Sequence, residues 1–183
     1  MAGKIQAQLW DVALDQYGYV TSRDARALDI NVVELGKLAH RGQLEKVGHG
    51  VYRFPRYPVT QLDPYMLATL WAGGHGVLSH ETILDLYELG DVNPAKIHMT
   101  IPRGHRLRRR GGELYVIHSA DLDADQIGWF EGIPAVTPST AIEQTIHVTP
   151  SHLARQAVHK AHDRGLIDTE ARDRFLHQLE AAT

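Results

Sequence analysis

Residues 18–54, GYVTSRDARALDINVVELGKLAHRGQLEKVGHGVYRF, carry the most specific structural signal in the chain. Thr21 and Asp24 stand at capping-box spacing, so a short helix is expected from Thr21 or Ser22 to Leu28. Asp29-Ile30 makes the turn. Asn31 can cap the next helix, on which Val32, Leu35, Leu38 and Ala39 share one face at helical spacing. Gly42 stands where a glycine commonly ends a helix. Residues 44–47 and 51–54 read as two short strands joined by Gly48-His49-Gly50. Upstream, Ile5, Leu9, Val12 and Ala13 recur at helical spacing and place a first helix over residues 4–16, stopped by Gly18. Three helices followed by a hairpin is the order of a winged helix-turn-helix, which lays one helix in the DNA major groove.

Pro55, Pro58 and Pro64 punctuate the next stretch, and a domain boundary is expected there. Asp63-Pro64 then has the order of a cap followed by a proline in the first turn, and opens a helix to Trp71. Ser79 is read as the cap of another helix. Ile97, Met99 and Ile101 alternate with His98 and Thr100, the pattern of a half-buried strand. Further strands are expected over residues 114–118 and 133–136, and helices over 137–147, 151–164 and 169–181. The expected fold class is α+β. Residues 1–56 form a winged helix-turn-helix, and residues 63–183 a mixed α/β domain with a small sheet and several helices.

Bulk composition narrows the function classes. The chain has 183 residues, 43% of them hydrophobic, enough to bury a core. It has no cysteine, which excludes disulfides and thiolate metal sites and suits a reducing cytoplasm. The first residues lack a signal-peptide core and no apolar run reaches membrane-spanning length, so a cytoplasmic protein with no membrane partner is expected. Net charge is −3, which argues against a protein that coats nucleic acid. The charge is divided: residues 1–60 hold 8 Lys/Arg against 6 Asp/Glu, and the remainder 11 against 16. A mildly basic first module joined to an acidic second one fits DNA contact at one end and protein contact at the other.

With its core face fixed, the third helix presents Asn31, Val33, Gly36, Lys37 and His40 on the opposite side, with Arg41 at its end. Asn31 suits adenine and Val33 a thymine methyl. Gly36 costs about 1 kcal/mol of helix propensity, which a close backbone approach to DNA would explain. Lys37, His40 and Arg41 suit phosphates. Lys46, His49, Arg53 and Arg56 flank or tip the hairpin and are expected to touch backbone phosphate or the minor groove. Residues 103–110 hold Arg103, Arg106, Arg108, Arg109 and Arg110 between two expected strands. Guanidinium forks suit either a phosphate backbone or an acidic partner. Ordinary solvated basic residues remain the alternative at each of these places.

Catalytic and metal signals are weak. The 12 histidines include His159 and His162 at i, i+3, and His75 and His80 near Glu81, but no HExxH or zinc-finger spacing. Ser79-His80-Glu81 is contiguous, whereas triad members meet through the fold. Asp121, Asp123 and Asp125 lack the EF-hand glycine and distal glutamate. No P-loop, dinucleotide fingerprint or nucleophile elbow occurs. No enzyme activity, cofactor or metal is expected. The alternatives to a DNA binder are a winged helix used for protein contact and, more remotely, a small enzyme with its site in the mixed domain.

Several segments together resemble the AbiEi family of type IV antitoxins. In the first half these are Gly18-Tyr19-Val20-Thr21, Ala27-Leu28-Asp29-Ile30, His40-Arg41-Gly42-Gln43-Leu44-Glu45-Lys46-Val47 and Gly50-Val51-Tyr52-Arg53. In the second they are Leu78-Ser79-His80-Glu81-Thr82, His98-Met99-Thr100-Ile101-Pro102 and Gly132-Ile133-Pro134-Ala135-Val136-Thr137-Pro138. The resemblance implies a winged helix that binds double-stranded DNA at repeats in its own promoter and represses the operon. It also implies a second domain that counteracts a nucleotidyltransferase toxin, without a stable complex being required. The third helix is less basic than in many of that family, with Asp29 and Glu34 nearby. The nuclease-like region of longer relatives is not expected here.

Overall fold

The computed structural model describes residues 2–107 and 112–181. The fold is mixed: helices with a small sheet first, then a larger sheet with helices. The chain divides into two compact units, residues 1–75 and 76–183.

The first unit opens with α1 (Ala2–Leu14), which buries Leu9 and Ala13. Gly18 ends this segment: its N–H donates to Ala13 O at 2.8 Å and its φ is +84°. A Cβ at Gly18 would also fall 2.5 Å from Tyr57 Cβ, so only glycine fits. Next come β1 (Tyr19–Thr21) and α2 (Ser22–Ala27). The capping box forms as the spacing predicts, with Asp24 N–H donating to Thr21 Oγ1 (3.2 Å) and Thr21 N–H donating to Asp24 Oδ2 (2.7 Å). α3 (Val33–His40) starts after Asn31, whose Oδ1 accepts the Val33 N–H at 3.0 Å. β2 (Glu45–Gly48) and β3 (Val51–Arg53) complete the hairpin. The three strands pair in the order β1-β3-β2, all antiparallel. Leu9, Val20, Ala25, Leu35, Leu38, Leu44 and Phe54 form one buried cluster. The strand β1 is absent from the sequence reading. Three residues are too short to show alternation, and β1 exists through its pairing with β3 some thirty residues away.

α4 (Asp63–Trp71) follows the proline-marked stretch. Asp63 is not a capping residue, contrary to expectation: its carboxylate faces Arg53. Arg53 Nε and Nη2 donate to Asp63 Oδ2 at 3.2 and 3.0 Å, and Nη2 also donates to the carbonyls of Tyr57 and Pro58, each at 3.0 Å. Asp63 Oδ1 accepts from Thr60 N–H and Thr60 Oγ1 at 2.9 and 2.7 Å. Both side chains are less than 10% exposed. This network ties the wing strand, the linker and the start of α4 together.

The second unit is built on a five-stranded mixed sheet of order β6-β5-β4-β8-β7. Its strands are β4 (Val77–Leu78), β5 (Ile97–Ile101), β6 (Tyr115–Ser119), β7 (Ile127–Phe130) and β8 (Ile133–Val136). Its helices are α5 (Glu81–Leu86), α6 (Pro138–Thr145), α7 (Ser151–Asp163) and α8 (Thr169–Ala181). Thr137 caps α6, its Oγ1 accepting the Thr140 N–H at 3.3 Å, with Pro138 in the first turn as the sequence predicts. Ser79, expected as a cap, is instead fully buried at the end of β4 and accepts a hydrogen bond from Thr100 Oγ1 at 2.9 Å. Thr100 is therefore buried along with Met99 and Ile101, so the second half of β5 is covered on both faces, while Ile97 and His98 are partly exposed. β7, also unforeseen, pairs with β8 through a tight turn at Glu131-Gly132.

Removing one partner of a buried charge pair strands the other. Asp63→Ala is expected to destabilise the protein by about 3–5 kcal/mol in urea unfolding followed by far-ultraviolet circular dichroism. A loss below about 1 kcal/mol, the range of an exposed pair, would contradict the structural role of this contact.

Candidate functional site

The outer face of α3 follows from its inner one. Leu35 and Leu38 are 0% and 2% exposed, which turns Val33, Gly36, Lys37 and His40 to solvent, with Arg41 just beyond. These five residues, together with Val32 and with Tyr52 of β3, line one open groove of about 660 Å³. Residues singled out by periodicity alone thus form one surface. Tyr52 joins them across the hairpin; its mostly buried ring gave no sequence signal for a surface role.

Each side chain has a defined chemistry. Val33 is 60% exposed, an apolar group with no cover at the start of a helix. Asn31 is exposed beside it, and its amide nitrogen remains a donor while Oδ1 holds the Val33 N–H. Lys37 Nζ pairs with Glu34 Oε1 at 2.6 Å, in side chains 53% and 27% exposed. Such exposed pairs contribute about 0–1 kcal/mol, so a phosphate can displace the carboxylate. An added Cβ at Gly36 would meet nothing within 4 Å, so nothing in the fold requires a glycine there.

On the wing, Lys46 and His49 are exposed, and a register shift between Lys46 and Gly48 twists the hairpin near its tip. Arg53 does not belong to this surface. It is 7% exposed and its guanidinium is held by Asp63 and two carbonyls, so it is a structural residue rather than a phosphate contact. Arg56 is exposed, but its guanidinium lies 4.1 Å over the Trp10 ring of α1. In the second unit Arg103 and Arg106 are exposed, and the Arg103 N–H donates to Asp121 Oδ1 at 3.1 Å. Arg108, Arg109 and Arg110 lie outside the described residues.

The second unit also gathers histidines that the sequence holds apart. His80, His98 and His118 converge beside Glu81. His98 Nδ1 is 2.8 Å from Glu81 Oε2 and 3.3 Å from His118 Nε2. The His80 ring stacks on that of His118, centroids 3.4 Å apart and planes 11° apart. His80 Nδ1 is 2.9 Å from Ser79 Oγ, whose single proton is free for it because Thr100 donates to the same oxygen. His80 sits at φ 54° and ψ −140°, a region that disfavours side chains and costs about 1–3 kcal/mol. Burial, then the His118 ring, holds the His80 imidazole at about 4. The contact with His98 holds the Glu81 carboxyl at about 2. Burial, then His98, also lowers His118. His162 is separate, with Nε2 3.3 Å from Thr169 Oγ1.

Residues 8–55, which span the winged helix, match the family described as "Transcriptional regulator, AbiEi antitoxin". In fold, the chain is similar to the RV2827C protein from Mycobacterium tuberculosis, known from a crystal structure. The TM-score is 0.56 at 14% identity, covering 95% of this chain and 71% of that one. No curated protein matches the chain. The sequence match to that family is confined to residues 8–55, within the first unit.

Gly36→Ala separates stability from recognition. The variant is expected to gain about 1 kcal/mol of stability, because alanine is the better helix former and meets no neighbour. If the backbone of α3 approaches DNA at Gly36, the same variant binds DNA more weakly in fluorescence anisotropy. Unchanged affinity in the stabilised variant would show that DNA does not come close at this point.

Proposed function

We propose that this protein is a DNA-binding antitoxin of the type IV kind, which binds repeats in its own promoter, represses the operon and counteracts a nucleotidyltransferase toxin. The observation that carries the DNA-binding part is the uncovered outer face of α3, which lines one open groove with Tyr52 of β3, within a segment that matches a family of transcriptional regulators. In this reading α3 enters the major groove. Asn31 and Val33 meet base edges from its N-terminal end, Gly36 admits close approach, and Lys37, His40 and Arg41 hold phosphates. Lys46 and His49 extend the contact along the wing. The exposed Arg103 and Arg106 supply further positive charge, for phosphate or for the antitoxin role.

A salt-dependent band shift on the chain's own upstream DNA tests this. Counterion release makes log affinity fall linearly with log salt. Lys37→Ala and Arg41→Ala are each expected to weaken binding to all sequences alike and to reduce that slope by about 1. Asn31→Ala is expected to relax preference at one base pair, at a cost of about 1–3 kcal/mol, with folding checked in parallel because Asn31 also serves the start of α3. Unchanged affinity in all three variants would remove α3 as the DNA-contacting element. Failure to rescue growth when the adjacent toxin gene is expressed would remove the antitoxin part alone.

A further inference from the structure

We propose that the outer edge of β7 is a docking site for a partner protein, which adds an extended, basic segment there as a further strand of the sheet. The site belongs to the second unit and does not rest on DNA binding by the first. β7 ends the sheet order, and among the described residues no strand pairs with its outer side. The rungs to β8 set which backbone groups face outward. In an antiparallel ladder, hydrogen-bonded rungs alternate with unbonded ones. The register, continued by one residue, places Gln126 opposite Thr137, and the Thr137 N–H donates to Gln126 O at 2.9 Å. Gly128 and Phe130 therefore direct their N–H and C=O to β8, while those of Ile127 and Trp129 point to the open edge. Pro134, which has no N–H, stands opposite Trp129, as an unbonded rung permits.

The same residues carry exposed side chains. Ile127 and Trp129 are two positions apart and project from one face of the strand. They are 39% and 69% exposed, so a large apolar ring stands in water beside outward-facing backbone groups. The opposite face is already engaged. Phe130 meets the Tyr87 ring edge-on, centroids 4.9 Å apart, and the Arg164 guanidinium donates to the Tyr87 carbonyl. Folded proteins guard open strand edges with lysine, proline, a bulge or a covering element. β7 has no lysine or proline, and its pairing with β8 runs without a register shift.

Charge selects the occupant. Residues 111–154 contain six Asp/Glu and no Lys or Arg, so the sequence around β7 is acidic throughout. Asp121, Asp123, Asp125 and Glu131 flank the strand and are exposed. A second copy of this chain is disfavoured. The antiparallel register that sets Ile127 opposite Trp129 of another copy also brings Asp125 of each to the level of Glu131 of the other, where like charges repel. A segment bearing lysine or arginine meets the same carboxylates as partners. The outward N–H and C=O groups of Ile127 and Trp129 hold the added backbone, and apolar side chains of the segment rest on the Trp129 ring.

The probe is a capped hexapeptide of alternating lysine and valine, titrated into the isotopically labelled full chain and followed by amide and indole NMR. Saturable shift changes are expected at Ile127 and Trp129, the indole included, and exchange of these two amides should slow by about tenfold or more. A glutamate–valine peptide, and a lysine–glycine peptide of equal charge but low strand propensity, should each bind about tenfold more weakly or worse. Trp129→Ala should weaken the lysine–valine peptide by about tenfold. Asp125→Asn/Glu131→Gln should weaken it too and flatten its salt dependence. The wild-type titration is decisive even if a variant misfolds: unmoved β7 signals at millimolar peptide overturn the proposal. Equal binding of the lysine–glycine peptide overturns strand addition, and equal binding of the glutamate–valine peptide overturns the basic partner. A dimer in sedimentation velocity that Trp129→Ala dissolves assigns the edge to a second copy and overturns the proposal as well. None of these results bears on DNA binding by the first unit.

Discussion

The buried pair of Arg53 and Asp63 is the contact on which the first unit depends. Two charges less than 10% exposed are costly to desolvate, and they persist only when every polar atom is satisfied. Here the guanidinium meets Asp63, the carbonyls of Tyr57 and Pro58 and, more distantly, that of Phe54. The other carboxylate oxygen takes both polar groups of Thr60. A single arginine at the end of β3 thus determines the path of the proline-marked linker and the start of α4. Because β3 is the central strand, pairing with both β1 and β2, its position also sets where the wing stands relative to α3.

The surface this scaffold holds is modest in charge. Lys37 is partnered by Glu34 within the same helix, and it shares its groove with the exposed side chains of His40 and Arg41. Such a face gains little from electrostatics alone. In the proposed function its discrimination would rest on close contact at Val33 and Gly36, where the helix is apolar or bare. That balance fits a regulator that must find particular sites better than one that coats DNA.

Local signals were legible in the sequence and non-local ones were not. The capping box of Thr21 and Asp24, the inward turn of Leu35 and Leu38 and the hairpin after Gly42 all follow from residues within one turn or one loop of each other. β1 and β4 are three and two residues long and are defined by distant partners, so no periodic pattern marks them, while β7 is a four-residue strand paired with its neighbour β8 and too short to show a clear alternation. Arg53 read as an exposed wing cation because arginine is usually at the surface. Its inward turn depends on Asp63, across a loop the sequence marks only as a break. The histidine cluster shows the same limit. His80 and Glu81 are adjacent and visible, but His98 and His118 reach them only through strand pairing.

The most direct measurement of the central claim is a backbone-amide NMR titration of the isotopically labelled full chain with a duplex of its own upstream DNA. If the outer face of α3 is the DNA surface, the largest shift changes fall within residues 31–41, with a second group at 45–50. Shift changes confined to other residues, with those two stretches unmoved at saturation, would contradict it.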